Sequence, residues 1–278
     1  MNINDRANLK DGNTMPWLGL GVYLLGDGSE AERTIAWAVE AGYRLIDTAS
    51  FYKNEAGVGM GIRACGLPRE ELFLTTKLWN NEQGYENAII ACENSLRRLK
   101  TDYLDLYLIH WPGQDKARRL KTWEALLELK SQGKVKSVGV SNFKIHHLDE
   151  IMAAFGEAPV VDQVEMHPFY PQEELRAYAK EKGIVLTAWG PLFHGHIRDA
   201  KGIDAIGAHY GKTGAQAVLR WHLQNGVAII PKSSKKERLI ENADIFDFEL
   251  NDADMRALGS LNNGTSYGGD PDQFTMGF

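Results

Sequence analysis

Asp47 ends the run Gly42-Tyr43-Arg44-Leu45-Ile46-Asp47, Tyr52 follows five residues later, and Lys77 and His110 end two later apolar runs. A carboxylate, a phenol, an amine and an imidazole brought together can move a proton. A free tyrosine titrates near pH ~10, too high to exchange protons readily around neutrality. A lysine cation beside it would lower that value, and Asp47 would keep the lysine charged and oriented. A shift of about two units corresponds to about 2.7 kcal/mol, within reach of a close charge in a partly dry site. Such a phenol suits a general acid that protonates a carbonyl oxygen as it gains negative charge, with His110 donating to the same oxygen. Each residue alone has a plainer reading: Asp47 as a helix cap, Lys77 reaching out to solvent, His110 as a satisfied core histidine.

A second constellation is Ile230-Pro231-Lys232-Ser233-Ser234-Lys235-Lys236-Glu237-Arg238, where four cations face one carboxylate in a chain of net charge -6. Ser234 and Glu237 have capping-box spacing, which predicts a helix N-terminus inside the basic cluster. Backbone amides, helix dipole and cations together describe a phosphate site, although a solvated charged face is the usual fate of a charge run. Trp17, Tyr23, Phe51, Trp79, Trp111 and Trp189 fall near the ends of apolar runs. Core packing is the default for any one aromatic, but this many at one rim would stack a flat ring and wall a pocket. The eight histidines offer no metal motif. His146-His147 and His194-Gly195-His196 lack ligand spacing and are expected on surface loops, so no metal is expected.

Positioning these groups requires elements, and the text alternates between two kinds. Strand-like runs are Leu18 to Tyr23, Tyr43 to Asp47, Leu72 to Leu78, Tyr103 to His110, Val135 to Val140, Val160 to Val164, Ile184 to Trp189 and Val227 to Ile230. They are short and apolar with little alternation, as for parallel strands buried on both faces. Helical patterns lie between them. Ser29 with Glu32 has capping-box spacing, Leu120, Trp123, Leu126 and Leu127 share a helical face, and Pro171 opens a segment closed by Gly183. An open doubly wound sheet binding a dinucleotide would usually carry Gly-x-Gly-x-x-Gly after its first strand, whereas Gly19-Leu20-Gly21 lacks the third glycine. The pattern predicts α/β, a (β/α)8 TIM barrel over residues 1–278 as one domain. An N-terminal β-hairpin turning at Asp11-Gly12 precedes it, and a C-terminal tail follows over the rim. Active sites of such barrels sit where strands end, and here the ends carry Asp47, Lys77, His110, Ser141-Asn142, Gln163 with Glu165, Trp189 and Lys232-Ser233.

With 44% hydrophobic residues the chain can build a large core, and a pI near 5.8 disfavours nucleic acid or an anionic membrane as main partner. The N-terminus lacks a signal-peptide core, and no apolar run approaches the ~20 residues of a membrane helix. Cys65 and Cys92 are expected as free thiols in a reducing compartment, which makes the protein cytoplasmic.

From about Asn13 to Phe248 the sequence resembles the aldo-keto reductases. The resemblance rests on Gly42 to Ala49 with Tyr52, Asp105-Leu106-Tyr107-Leu108-Ile109-His110-Trp111-Pro112, Gly139-Val140-Ser141-Asn142-Phe143, and Ile230-Pro231-Lys232-Ser233. It implies a monomeric barrel using NADPH to reduce a small-molecule carbonyl. Asp47, Tyr52, Lys77 and His110 match the catalytic tetrad, with Tyr52 as proton donor. Ser141, Asn142 and Gln163 match the positions holding the nicotinamide carboxamide, and Trp189 the ring stacked on it, with Val22, Gly190, Pro191 and Leu192 also along the cofactor. Lys232, Ser233, Lys235 and Arg238 match residues around the 2′-phosphate, and Glu241 and Asn242 the adenine contacts. Tyr23, Phe51, Trp79, His110 and Trp111 match the substrate wall. The tryptophan at 189 and the tail are similar to microbial members, the 2,5-diketogluconate reductases, glyoxal reductases and prostaglandin F synthases. Two departures stand out: Asp162 occupies a usual asparagine position and would add a charge near Gln163, and Phe193-His194-Gly195-His196 replaces a Gly-Gln-Gly pattern. The substrate implied is an α-dicarbonyl such as methylglyoxal or glyoxal, with a diketo sugar acid as alternative. Rival readings are a Schiff-base aldolase using Lys77 and a non-enzymatic NADPH sensor.

Overall fold

The computed structural model describes residues 1–278. Strands β1 (Arg6–Asn8) and β2 (Thr14–Pro16) pair antiparallel, and the expected turn joins them with Gly12 at φ 88°. The hairpin's Leu9 and Met15 pack with Leu45, Phe73, Leu106, Val161 and Ala228, near the starts of the strands that follow, and close that end of the barrel.

The eight expected runs form eight parallel strands. In sheet order they are β3 (Gly19–Gly21), β4 (Leu45–Asp47), β5 (Phe73–Leu78), β6 (Leu104–Ile109), β7 (Val135–Ser141), β8 (Val161–Glu165), β9 (Val185–Trp189) and β10 (Val227–Ile229). A parallel bridge between Leu18 and Ile229 joins last to first, with the Ile229 amide donating to the Trp17 carbonyl at 2.9 Å. At that seam Gly21 has to be glycine, because a Cβ would lie 2.7 Å from the Ile230 carbonyl oxygen.

Around the barrel lie α1 (Ser29–Glu40), α2 (Glu55–Ala64), α3 (Tyr85–Leu99), α4 (Lys116–Ser131), α5 (Ile145–Phe155) and α6 (Glu173–Lys182). After β9 come α7 (Ile203–Ala208), α8 (Gly214–Gln224), α9 (Lys236–Ala243) and α10 (Asp252–Gly259). Two helix starts differ from expectation. Gly28, at φ 75°, takes the cap position of α1, so Ser29 is already helical and the Ser29–Glu32 box does not form. The Ser234–Glu237 box is likewise absent: Lys235 is the cap of α9, and Ser233 Oγ accepts the Lys235 amide at 3.1 Å.

Strand periodicity decides what the site contains. Alternate residues of a strand point to opposite faces. Ile46, Leu74, Leu78, Tyr107, Ile109, Val164 and Ala188 join the large cluster beneath the helices. The other parity, from Leu45, Phe73 and Leu108 upward, reaches Asp47, Lys77 and His110 as the last inward positions. The tail crosses this same end. Lys144 pairs with Asp270 and Asp272, Gln114 donates to the Asp272 carbonyl at 2.6 Å, and Asn80 to the Met276 carbonyl at 2.7 Å. Cys65 and Cys92 are free thiols, and no helix is long and apolar enough to cross a membrane.

Candidate active site

Lys77 is fully buried, and its Nζ donates to Asp47 Oδ1, to the Thr48 carbonyl at 2.9 Å and to the Tyr52 hydroxyl at 3.3 Å. The other Asp47 oxygen accepts Gln163 Nε2 at 2.7 Å. The His110 ring meets the Tyr52 ring edge-on at 5.8 Å between centroids. The four groups expected to meet do meet.

Their electrostatics depart from expectation at one point. Burial raises the Tyr52 phenol, and Lys77 opposes this only in part, because Asp47 sits on the same cation. The net shift is upward, not the downward one the sequence led us to expect, so the phenol keeps its proton. Burial lowers Lys77, but Asp47 and Tyr52 outweigh it and hold the amine charged. His110 is driven well below the usual imidazole range by burial and by Lys77, so it is neutral. Its Nδ1 has no protein partner.

Beside the tetrad, Ser141 Oγ donates to the Gln163 carbonyl at 2.7 Å, and Asn142, held at φ 62°, donates to the His110 carbonyl at 2.9 Å. The Asn142 side-chain oxygen accepts the half-buried Trp189 indole N–H at 2.8 Å. The expected carboxamide-binding residues are therefore wired to both the tetrad and Trp189. Gly190 follows at φ 61°, Leu192 is half-buried, and the Pro191 carbonyl faces His222 Nε2 at 3.2 Å. Val22 is fully buried, and its carbonyl accepts the Asn54 side-chain amide at 2.9 Å.

In the basic segment Lys236 pairs with Glu40, whereas Lys232, Lys235 and Arg238 are exposed and make no ion pair. Unpaired cations beside the start of α9 offer a ready seat for a phosphate. Asn242 is buried, and Glu241 accepts the Thr213 hydroxyl at 2.7 Å.

The aromatic wall assembles without Trp17, which precedes β3 and packs on the Leu9–Met15 cluster where the strands begin, not at the rim where it was expected. Phe51 stacks on Trp79 at 3.9 Å, Tyr23 lies 4.9 Å from Tyr52, and Trp79 meets His110 edge-on at 5.0 Å. Trp111 stacks at 3.8 Å on Phe274, a residue sequence reasoning missed. An aromatic in a short tail interrupted by Gly264, Gly268, Gly269, Pro271 and Gly277 has no periodicity to assign it a face, so only its composition could have marked it. A cavity of about 510 Å³ lies beyond Trp189, Asn142 and Glu165, lined also by Lys144, Tyr170 and Ser266; none of the tetrad lines it.

Three further expectations need correction or sharpening. His146 and His147 start α5 and do not sit on a loop; His147 is buried, and both Nε2 atoms face Asp272 Oδ1, at 3.1 and 3.3 Å. His147 Nδ1 already accepts the Lys144 amide, and Lys144 Nζ lies 2.6 Å from the other Asp272 oxygen, so the trio is a hydrogen-bonded clasp of the tail. Asp162 adds no charge: fully buried and facing away from Gln163's side of the strand, it is pushed well above the usual carboxylate range and stays protonated. In the departed loop, Phe193 (φ 58°) and His194 (φ 51°) are left-handed, with Phe193 buried beside Phe169 and Trp221.

A model of the Aldo/keto reductase family matches residues 17–263. The chain is 51% identical over 271 residues to the glyoxal reductase of Bacillus subtilis (strain 168), covering 98% of each. It is 46% identical over 281 residues to the 9,11-endoperoxide prostaglandin H2 reductase of Trypanosoma cruzi, covering 100% of this chain and 99% of that one. Among solved structures, a mutant of Gox0644 in complex with NADPH superimposes with TM-score 0.93 at 44% identity, covering 98% of this chain and 99% of that one.

Proposed function

The chain belongs to the aldo/keto reductase family, and on that premise we propose that it reduces small aldehydes and ketones with NADPH, α-dicarbonyls such as glyoxal or methylglyoxal foremost. NADPH supplies the hydride when bound. The residues present fit it: the unpaired Lys232, Lys235 and Arg238, with Ser233, would hold the 2′-phosphate, and Glu241 and Asn242 the adenine. Ser141, Asn142 and Gln163 would hold the carboxamide against Trp189, with Gly190-Pro191-Leu192 alongside.

The observation that carries the reading is Lys77 within bonding reach of both Asp47 and Tyr52, beside a neutral His110. A carbonyl oxygen near Tyr52 and His110 gains negative charge as its carbon is reduced. The phenol gives up its proton to that oxygen, and the Lys77 ammonium stabilises the phenolate left behind. Residues 1–278 act as one unit and a monomer suffices, since every group named comes from a single chain. A protonated Lys77 is a poor nucleophile, which argues against the aldolase reading. Tyr23, Phe51, Trp79, Trp111 and Phe274 carry no charge, so the wall suits a small neutral dicarbonyl better than the diketo sugar acid.

Following NADPH oxidation across glyoxal, methylglyoxal, simple aldehydes and diketo acids tests this. Turnover should be greatest with the dicarbonyls, and inertness toward every carbonyl would end the proposal. Because the phenol lies above its ordinary value, reduction should stay flat between about pH 6 and pH 9, whereas alcohol oxidation, which needs the phenolate, should climb with pH. Initial rates in both directions across that range check the sign. Lys235→Ala or Arg238→Ala should raise the Kd for NADPH by about tenfold, roughly one charge-assisted hydrogen bond, and leave the Kd for NADH nearly unchanged.

A further inference from the structure

Glu165 ends β8 in register with Trp189 on β9 and is buried, yet the chemistry above makes no use of it. Its carboxylate is nonetheless fully engaged, by three groups of the tail and by His167. Oε1 accepts the Tyr267 amide at 2.7 Å and faces His167 Nε2 at 3.1 Å; Oε2 accepts the Ser266 hydroxyl at 2.6 Å and the Gly268 amide at 2.9 Å. Burial pulls the carboxyl upward, but these four hydrogen bonds outweigh it and hold the group below the usual carboxylate range.

The tail so held lies on the indole. A Cβ at Gly268 would come 2.3 Å from Trp189 Cη2 and 2.8 Å from Cζ2, so only glycine allows this approach. Trp189 is otherwise pinned through Nε1, by Asn142. A ring held only at its pyrrole nitrogen can swing about that hydrogen bond; a second contact farther along the same side, at the tip of the benzo ring, limits the swing. Tyr267 extends the buttress by stacking on His196 at 4.5 Å.

We propose that Glu165 is a positioning residue for the cofactor: by holding residues 266–268 against Trp189 it sets the indole plane on which the nicotinamide packs. The inference rests on the reading of Trp189 as the nicotinamide wall. It makes the tail part of the cofactor site as well as the substrate wall.

Glu165→Gln keeps the volume but replaces one acceptor oxygen with a donor. Hydrogen exchange on the free protein should show the Tyr267 and Gly268 amides exchanging about tenfold faster or more, as local opening becomes easier. NADPH titration should give a Kd raised about tenfold, a part of what one stacked ring contributes, with kcat at saturating NADPH within about twofold. Trp189→Ala should raise the Kd at least as far, and adding Glu165→Gln to it should add nothing, because both act through the same ring. Gly268→Ala keeps Glu165 itself, but its Cβ would strike the indole at 2.3 Å and crowd Glu165 Oε2 at 3.2 Å; it should weaken NADPH in the same way and serves if Glu165→Gln fails to fold. The proposal is overturned if the two Kd effects multiply, if exchange quickens while NADPH affinity stays unchanged, or if exchange does not quicken. A Trp189→Ala protein with normal NADPH affinity would instead overturn the nicotinamide-wall reading, and the exchange data would still report the anchor separately.

Discussion

Replacing Tyr52 with phenylalanine is expected to lower kcat for carbonyl reduction by about 10²- to 10⁴-fold, the usual worth of a positioned proton donor. NADPH affinity should stay within about twofold, because no residue assigned to the cofactor bonds to the Tyr52 hydroxyl. The change removes one oxygen. That oxygen's protein partner is Lys77 Nζ, which keeps Asp47 and the Thr48 carbonyl, so no charge is stranded and the fold should survive. Stopped-flow reduction and fluorescence titration of the same variant separate the two quantities. Wild-type turnover in Tyr52→Phe would remove the phenol from the mechanism.

The larger effect on stability belongs to Lys77→Met. Lys77 and Asp47 are both buried, at 0% and 2% side-chain exposure, and breaking such a pair by removing one partner costs about 3–5 kcal/mol. Asp47 would keep only Gln163 as a hydrogen-bonding side chain. Burial already pushes its carboxyl upward against the opposing pull of Lys77, so without the cation it takes up a proton. The loss should therefore shrink as pH falls through the raised Asp47 value and be largest at neutral and alkaline pH. Thermal melts of Lys77→Met at several pH values check this. The double variant with Asp47→Asn should recover much of the melting temperature and none of the turnover. If the double variant melts as low as the single, the ion pair is not what holds this end of the barrel.

The barrel was legible because its evidence is local and repeated. Eight short apolar runs recur, seven of them carry a polar or aromatic residue at or just past the end, and the two-residue period of a strand fixes which of these face inward. Asp47, Lys77 and His110 could be grouped before their distances were known. Failures came where backbone conformation or burial, which residue spacing does not report, decides the outcome. Ser29 has the spacing of a cap, but Gly28 at φ 75° starts the helix without it. The Tyr52 shift has the wrong sign if only Lys77 is counted; the balance depends on burial and on Asp47, neither of which spacing reports. Asp162 reads as a charge until its complete burial shows that it is a neutral acid. The tail was expected over the rim, but Phe274 and the Glu165 anchor were invisible, since nothing in an aperiodic tail says which of its residues will make the contacts.

The two ends of the chain lie at opposite poles of the barrel. The hairpin closes the pole where the strands begin, whereas Phe278 reaches back over the other, its ring so close to Gly113 that a Cβ there would touch it at 2.5 Å. A purification handle or reporter fused after Phe278 would therefore start at the pole that carries Lys77 and Tyr52, next to the segment that braces Trp111. The same addition before Met1 would leave from the far side, so enzyme for kinetic work is better tagged at its beginning than at its end.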